Sequence, residues 1–161
     1  MRNLFKLLSF VLLLAGTATL ASSQENVRRL DVKANVYMSY DAAIGKVLEE
    51  AIVGYHLKET FLSLGFMHAG MKGGFYGGTV NCAYIKPDAQ LVLVPTLGIG
   101  FLHGMFSGDE RTAKLAVNLD VELRQYLTES RSSYCGLGVK ILGLKDVDIS
   151  FWGGVTFGFS F

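Results

Sequence analysis

Between Ala113 and Arg124 the chain alternates with a period of two. Ala113, Leu115, Val117, Leu119, Val121 and Leu123 stand against Lys114, Ala116, Asn118, Asp120, Glu122 and Arg124. A helix would scatter the two sets around its axis, whereas an extended strand places each on one face. The pattern recurs along the chain. Leu30, Val32, Ala34, Val36 and Met38 oppose Asp31, Lys33, Asn35, Tyr37 and Ser39; Leu62, Leu64 and Phe66 oppose Ser63, Gly65 and Met67. Leu97, Ile99 and Phe101 oppose Thr96, Gly98 and Gly100, and Leu137, Val139 and Ile141 oppose Gly136, Gly138 and Lys140. At the end Val147, Ile149, Phe151, Val155, Phe157, Phe159 and Phe161 oppose Asp148, Ser150, Trp152, Gly154, Thr156, Gly158 and Ser160.

Turn residues separate these runs. Lys86-Pro87-Asp88-Ala89 is a tight turn with Pro supplying the φ its second position wants. Lys58–Thr60 and Thr128–Arg131 are short polar turns, while 73–78, 107–111 and 142–146 read as looser connections. Strands are expected near 28–40, 48–58, 60–70, 79–86, 90–104, 112–127, 133–142 and 147–161. Eight strands with hairpin-length links make an antiparallel meander. Residues 41–50 fit two patterns, because Asp41 could cap a helix carrying Ile44, Val47, Leu48, Ala51, Ile52 and Tyr55. The half from Ala51 to Lys58 is better read as strand. Composition agrees: 19 Gly and 2 Pro are a poor fit to helices, since Gly costs about 1 kcal/mol in a helix interior. Half the chain is hydrophobic, which excludes disorder. A net charge of +1 gives no surplus for phosphate, so nucleic acid is not an expected partner.

The first residues follow another rule. Arg2 and Lys6 precede the apolar stretch Leu7–Leu14, and Thr19-Leu20-Ala21 is a small-x-small cleavage site. Residues 1–21 are therefore expected to be a cleaved signal peptide, too short in its apolar part for a stable spanning helix. Neither cysteine lies near that site, so a lipoprotein anchor is not indicated. Residues 22–161 form the expected exported domain.

An eight-stranded meander closes into a barrel to remove its sheet edges. A soluble barrel would point its apolar face inward; a membrane barrel points it at lipid and fills its interior with the polar face. The polar faces carry Gly98, Gly100, Gly136, Gly138, Gly154 and Gly158. These suit a lumen barely wide enough for side chains better than a wet surface. The apolar faces are large and continuous, and strands of ~10 residues tilted ~40° span about 25 Å, the height of a lipid-facing band. The lipid-facing version is favoured.

Gly154-Val155-Thr156-Phe157-Gly158-Phe159-Ser160-Phe161 ends on phenylalanine with aromatics at alternate positions. It resembles the C-terminal signal of bacterial outer-membrane proteins that the barrel assembly machinery recognises. With the leader and the eight strands, the chain resembles the small OmpA/OmpX-type barrels. That resemblance implies an all-β protein, an eight-stranded antiparallel up-and-down transmembrane β-barrel of the cell outer membrane. Outer-membrane lipids are then partners along the wall. The assembly machinery is a partner through Val155, Phe157, Phe159 and Phe161. Unlike full-length OmpA-like proteins, no peptidoglycan-binding domain is expected after the barrel, and the outer loops are expected to be short.

The charges expected inside are Arg29, Lys33, Lys114, Arg124 and Lys140 against Asp31, Glu50, Asp120, Glu122 and Asp148, with His56 beside them. A balanced set reads as a salt-bridged plug, since buried charges must be paired; a selective pore would favour one sign. His68 and His103 fall on the apolar face. A deacylase-type barrel needs a Ser within reach of such a His, yet the chain reads His68-Ala69-Gly70 and His103-Gly104-Met105. They are expected to be interfacial residues at headgroup level. No catalytic residue, cofactor or metal site is expected: Cys82 and Cys135 fall on strands that are not neighbours, so both should stay unpaired. The expected role is structural or surface-interacting, with no particular surface partner indicated. The alternatives are a lipid A-modifying barrel enzyme and a secreted soluble ligand-binding barrel.

Overall fold

The computed structural model describes residues 30–39, 47–57, 59–70, 74–86, 89–105, 111–145 and 149–161. The expected leader and Arg29, Asp41, Ile44 and Asp148 lie outside the described residues. Eight strands follow one another: β1 (Leu30–Ser39), β2 (Val47–Leu57), β3 (Thr60–Ala69), β4 (Phe75–Tyr84), β5 (Leu91–Gly104), β6 (Thr112–Tyr126), β7 (Ser133–Leu144) and β8 (Ser150–Ser160). Each pairs antiparallel with the next, and β8 pairs with β1, closing an up-and-down barrel. The seam reaches the last residue, where Phe161 N–H donates to the Leu30 carbonyl at 2.8 Å.

The stagger of the wall follows from the register. Following hydrogen-bonded neighbours from Leu30 leads through Tyr55, Leu62, Cys82, Leu97, Leu119, Ile141 and Phe151. Trp152, the next residue, pairs with Ser39, so one circuit advances the register by ten residues. With strands about 4.8 Å apart and a rise of about 3.3 Å per residue, that stagger tilts the strands by roughly 40°. A ten-residue strand then spans about 25 Å along the axis.

Alternation decides the faces. Leu64, Val80, Leu97, Leu119, Leu137, Phe151 and Phe157 all point outward and are exposed, whereas Asp31, Lys33, Glu50, Asn118, Glu122 and Lys140 point into a lumen that buries them. Glycine pairs across the wall with the large inward rings, Tyr37 with Gly154 and Tyr134 with Gly158. A Cβ on either glycine would strike its tyrosine, so the small residue makes room for the ring.

Two expectations need correction, and one open reading is decided. The second half of the connection expected at 73–78 is strand: β4 begins at Phe75, paired with Ala69 on β3 and Gly104 on β5. Gly77 there lies so close to the Phe101 carbonyl that any side chain would collide, a requirement of the wall that looks like a loop signal in the sequence. Likewise Leu142-Gly143-Leu144 continues β7. Val47, Leu48 and the residues after them, open between helix and strand, are β2.

The lumen is also not polar throughout. Leu48, Met67, Phe75, Leu102, Leu142 and Trp152 form an apolar cluster at the end carrying the β1–β2, β3–β4, β5–β6 and β7–β8 connections. At the opposite end, where β1 begins and β8 ends, Ile52, Phe61, Val92, Val94 and Tyr126 form a second one. Alternation dictates which face a residue takes, but not that an inward residue be polar. At the rims the lumen accepts oily side chains that pack against each other.

Candidate functional site

The charged lumen side chains come from strands far apart in sequence and gather around two centres. The first is Asp31, near the start of β1 and fully buried. It accepts from the Tyr134 hydroxyl of β7 at 2.5 Å and from the Ser160 hydroxyl of β8 at 2.8 Å. His56 Nε2 of β2 stands at 3.3 Å, and Arg124 Nη1 of β6 at 3.8 Å. One carboxylate thus ties four strands to β1 beside the seam with β8. Arg124 also donates through Nε to Glu122 at 2.8 Å, and Glu122 pairs with Lys33 at 2.9 Å. The Arg124 guanidinium lies 3.9 Å from the Tyr134 ring centre, a cation–π contact inside the barrel.

The second centre is Lys140 on β7, fully buried. Its ammonium bonds Glu50 of β2 at 2.8 Å and Asp120 of β6 at 3.2 Å, with the Tyr37 ring centre 5.3 Å away. Asn35 donates to the other Glu50 oxygen at 2.7 Å. A chain of amides, Asn118 to Asn81 and Asn81 to Thr79, continues toward β4. Among the described residues, the buried atoms Asn35 Oδ1, Asn118 Oδ1, Asp120 Oδ1, Arg124 Nη1 and Thr156 Oγ1 make no hydrogen bond. Buried polar atoms of this kind are commonly met by internal water.

Of the residues singled out in the sequence, Asp31, Lys33, Glu50, His56, Asp120, Glu122, Arg124 and Lys140 are brought together in these two groups. Lys114 is inward and half-buried near the start of β6, opposite Leu102; Asp148 lies outside the described residues. Asn81, Tyr134 and Ser160 are parts of the network that charge counting passed over. Their parity within their strands was the available signal, and for Asn81 it needed the true start of β4.

Val155, Phe157 and Phe159 share the outer face of β8, and Phe161 follows them at the seam. His68 and His103 point outward, as does Glu49, whose carboxylate lies 3.6 Å from His68 Nδ1. The neighbours of His68 across the wall are Glu49 and Tyr76, and those of His103 are Tyr76 and Ala113. None of these is a Ser, Thr or Cys that could serve as a nucleophile. Both cysteines are free thiols on the outer face.

A closed eight-stranded up-and-down barrel with an oily outside and charged side chains turned into its lumen is the OmpA-type barrel architecture. The crystal structure of the N-terminal β-barrel domain of Pseudomonas aeruginosa OprF superimposes with a TM-score of 0.64, covering 83% of this chain and 98% of that domain at 16% identity. The chain therefore has the OmpA/OmpX-type eight-stranded fold. Neither family models nor curated protein sequences give a match to it.

Proposed function

We propose that this protein is an integral outer-membrane barrel with a structural or surface-interacting role, and that its interior is a plug rather than a channel. The carrying observation is the reversal of faces. Leucine, valine, isoleucine and phenylalanine make up most of the exposed outer face, while ion-paired side chains point inside. Water would not tolerate that wall, and a soluble ligand-binding barrel would carry the opposite arrangement. The fold of the OprF domain supports the location. Two apolar clusters and the paired charges between them support a plug rather than a one-signed path for an ion. Val155, Phe157, Phe159 and Phe161 are the strand edge offered to the assembly machinery, and the leader expected at 1–21 is the export signal.

Two measurements test this. The folded protein in detergent should migrate differently before and after boiling, and equal mobility with release into buffer overturns the membrane assignment. Reconstituted into planar bilayers, the barrel should show no steady conductance. A stable open channel overturns the plug and leaves the membrane assignment standing.

A further inference from the structure

On one sector of the outer wall the apolar band is interrupted by a row of polar side chains. Glu49 on β2, His68 on β3, Tyr76 on β4 and His103 on β5 are successive partners in the register, so they lie side by side and all face out. The pieces touch: Glu49 meets His68 at 3.6 Å, and the Tyr76 and His103 rings pack edge to face with centres 5.4 Å apart. The row lies near the end of the barrel opposite the start of β1, where an apolar wall gives way to headgroups.

Two residues along the strands, toward the end where β1 begins, the partners are Phe66, Gly78 and Phe101. Here the middle position has no side chain. Gly78 faces outward into open space, since a Cβ built there would meet only the Gly65 carbonyl at 3.7 Å. Exposed phenylalanines flank it on both sides. With neighbouring strands about 4.8 Å apart, the two phenylalanine backbones stand roughly 10 Å apart, leaving a slot between the rings about one hydrocarbon chain wide. Below it Leu64, Val80 and Ile99 continue the oily floor.

We infer that this sector binds one membrane phospholipid, with its phosphate and amine on the Glu49–His103 row and one acyl chain in the slot at Gly78. The row has the matching polarity: a carboxylate at one end for an ammonium, then imidazole and phenol donors for phosphate oxygens. The slot supplies contact that a flat wall of side chains would not. This rests on the outer wall being lipid-facing.

The test is retention of lipid by the barrel purified in detergent, read by native mass spectrometry. Diacyl phosphatidylethanolamine should be retained, phosphatidylglycerol more weakly because it lacks the amine, and diacylglycerol not at all. Gly78→Leu fills the slot and should lower retention about tenfold, equivalent to about 1.4 kcal/mol. Gly153→Leu is the matched control: it too is an outward glycine with open space, but on β8 away from the polar row. It should leave retention unchanged. Equal loss in both variants, no loss at Gly78→Leu, or equal retention of all three lipids overturns the site, provided the barrel remains heat-modifiable. A protein that is not heat-modifiable and stays soluble without detergent overturns the lipid-facing wall, and the site with it.

Discussion

Removing the charge of Lys140 should be among the most damaging single changes in the lumen. Its ammonium is fully buried between Glu50 at 2.8 Å and Asp120 at 3.2 Å. Lys140→Met keeps most of the volume and removes the charge, so two carboxylates remain buried without their shared cation. Breaking a buried ion pair from one side costs about 3–5 kcal/mol, because the orphaned charge keeps its desolvation penalty. At a denaturant slope of ~2 kcal/mol per molar, the unfolding midpoint in urea should fall by about 2 M. Trp152 is the single tryptophan and is buried in the barrel, so its fluorescence reports unfolding in lipid vesicles directly. The triple change Lys140→Met, Glu50→Gln, Asp120→Asn removes all three charges together. It should recover most of the loss, since replacing a buried ionic group whole is often near neutral. A midpoint shift under 0.5 M for Lys140→Met, or a triple variant no better than the single, would falsify the reasoning that charge pairing holds this centre.

Tyr134→Phe removes the hydroxyl that donates to Asp31, and should cost about 1.5–3 kcal/mol by the same unfolding assay; no measurable change would mean the Asp31 centre does not tie β7 to β1. Leu119→Arg puts a charge on the outer wall and should cost ~2–4 kcal/mol in lipid if that position faces mid-bilayer; a neutral result would place it in water. Gly100→Ala should prevent the heat-modifiable form from appearing, because the added Cβ collides with the Gly78 backbone, whereas Gly153→Ala meets nothing and should fold normally. Equal behaviour of the two glycines in the gel assay would contradict the wall geometry.

Alternation alone suggests that arginine at Asn118, on the polar face, would be milder than at Leu119. The barrel changes that expectation. Asn118 is 0% exposed, held between Asn81 and Asp120 and opposite Gly98, whose missing side chain is the space Asn118 already fills. An arginine there has no room. A polar face in the sequence is not a solvated face in the structure.

The strand count, the antiparallel order, the assignment of faces and the inward position of the charged residues follow from the period-two pattern, because a strand's side chains have no other way to alternate. Connections were less legible. Gly77 and Leu142 look like turn residues, yet they belong to β4 and β7, where the demand comes from the neighbouring strand rather than from local chain geometry. Partner choice was not legible at all. That Lys33 meets Glu122, and Lys140 meets both Glu50 and Asp120, depends on the advance of the register by ten residues around the wall. So does the meeting of Glu49 with His68 and of Gly78 with two phenylalanines. One residue of slip in a hairpin would break the contacts made across it and exchange the faces of that strand, while leaving the sequence pattern intact. Periodicity is a property of each strand by itself, whereas closure and register belong to all eight together, and only the closed barrel sets them.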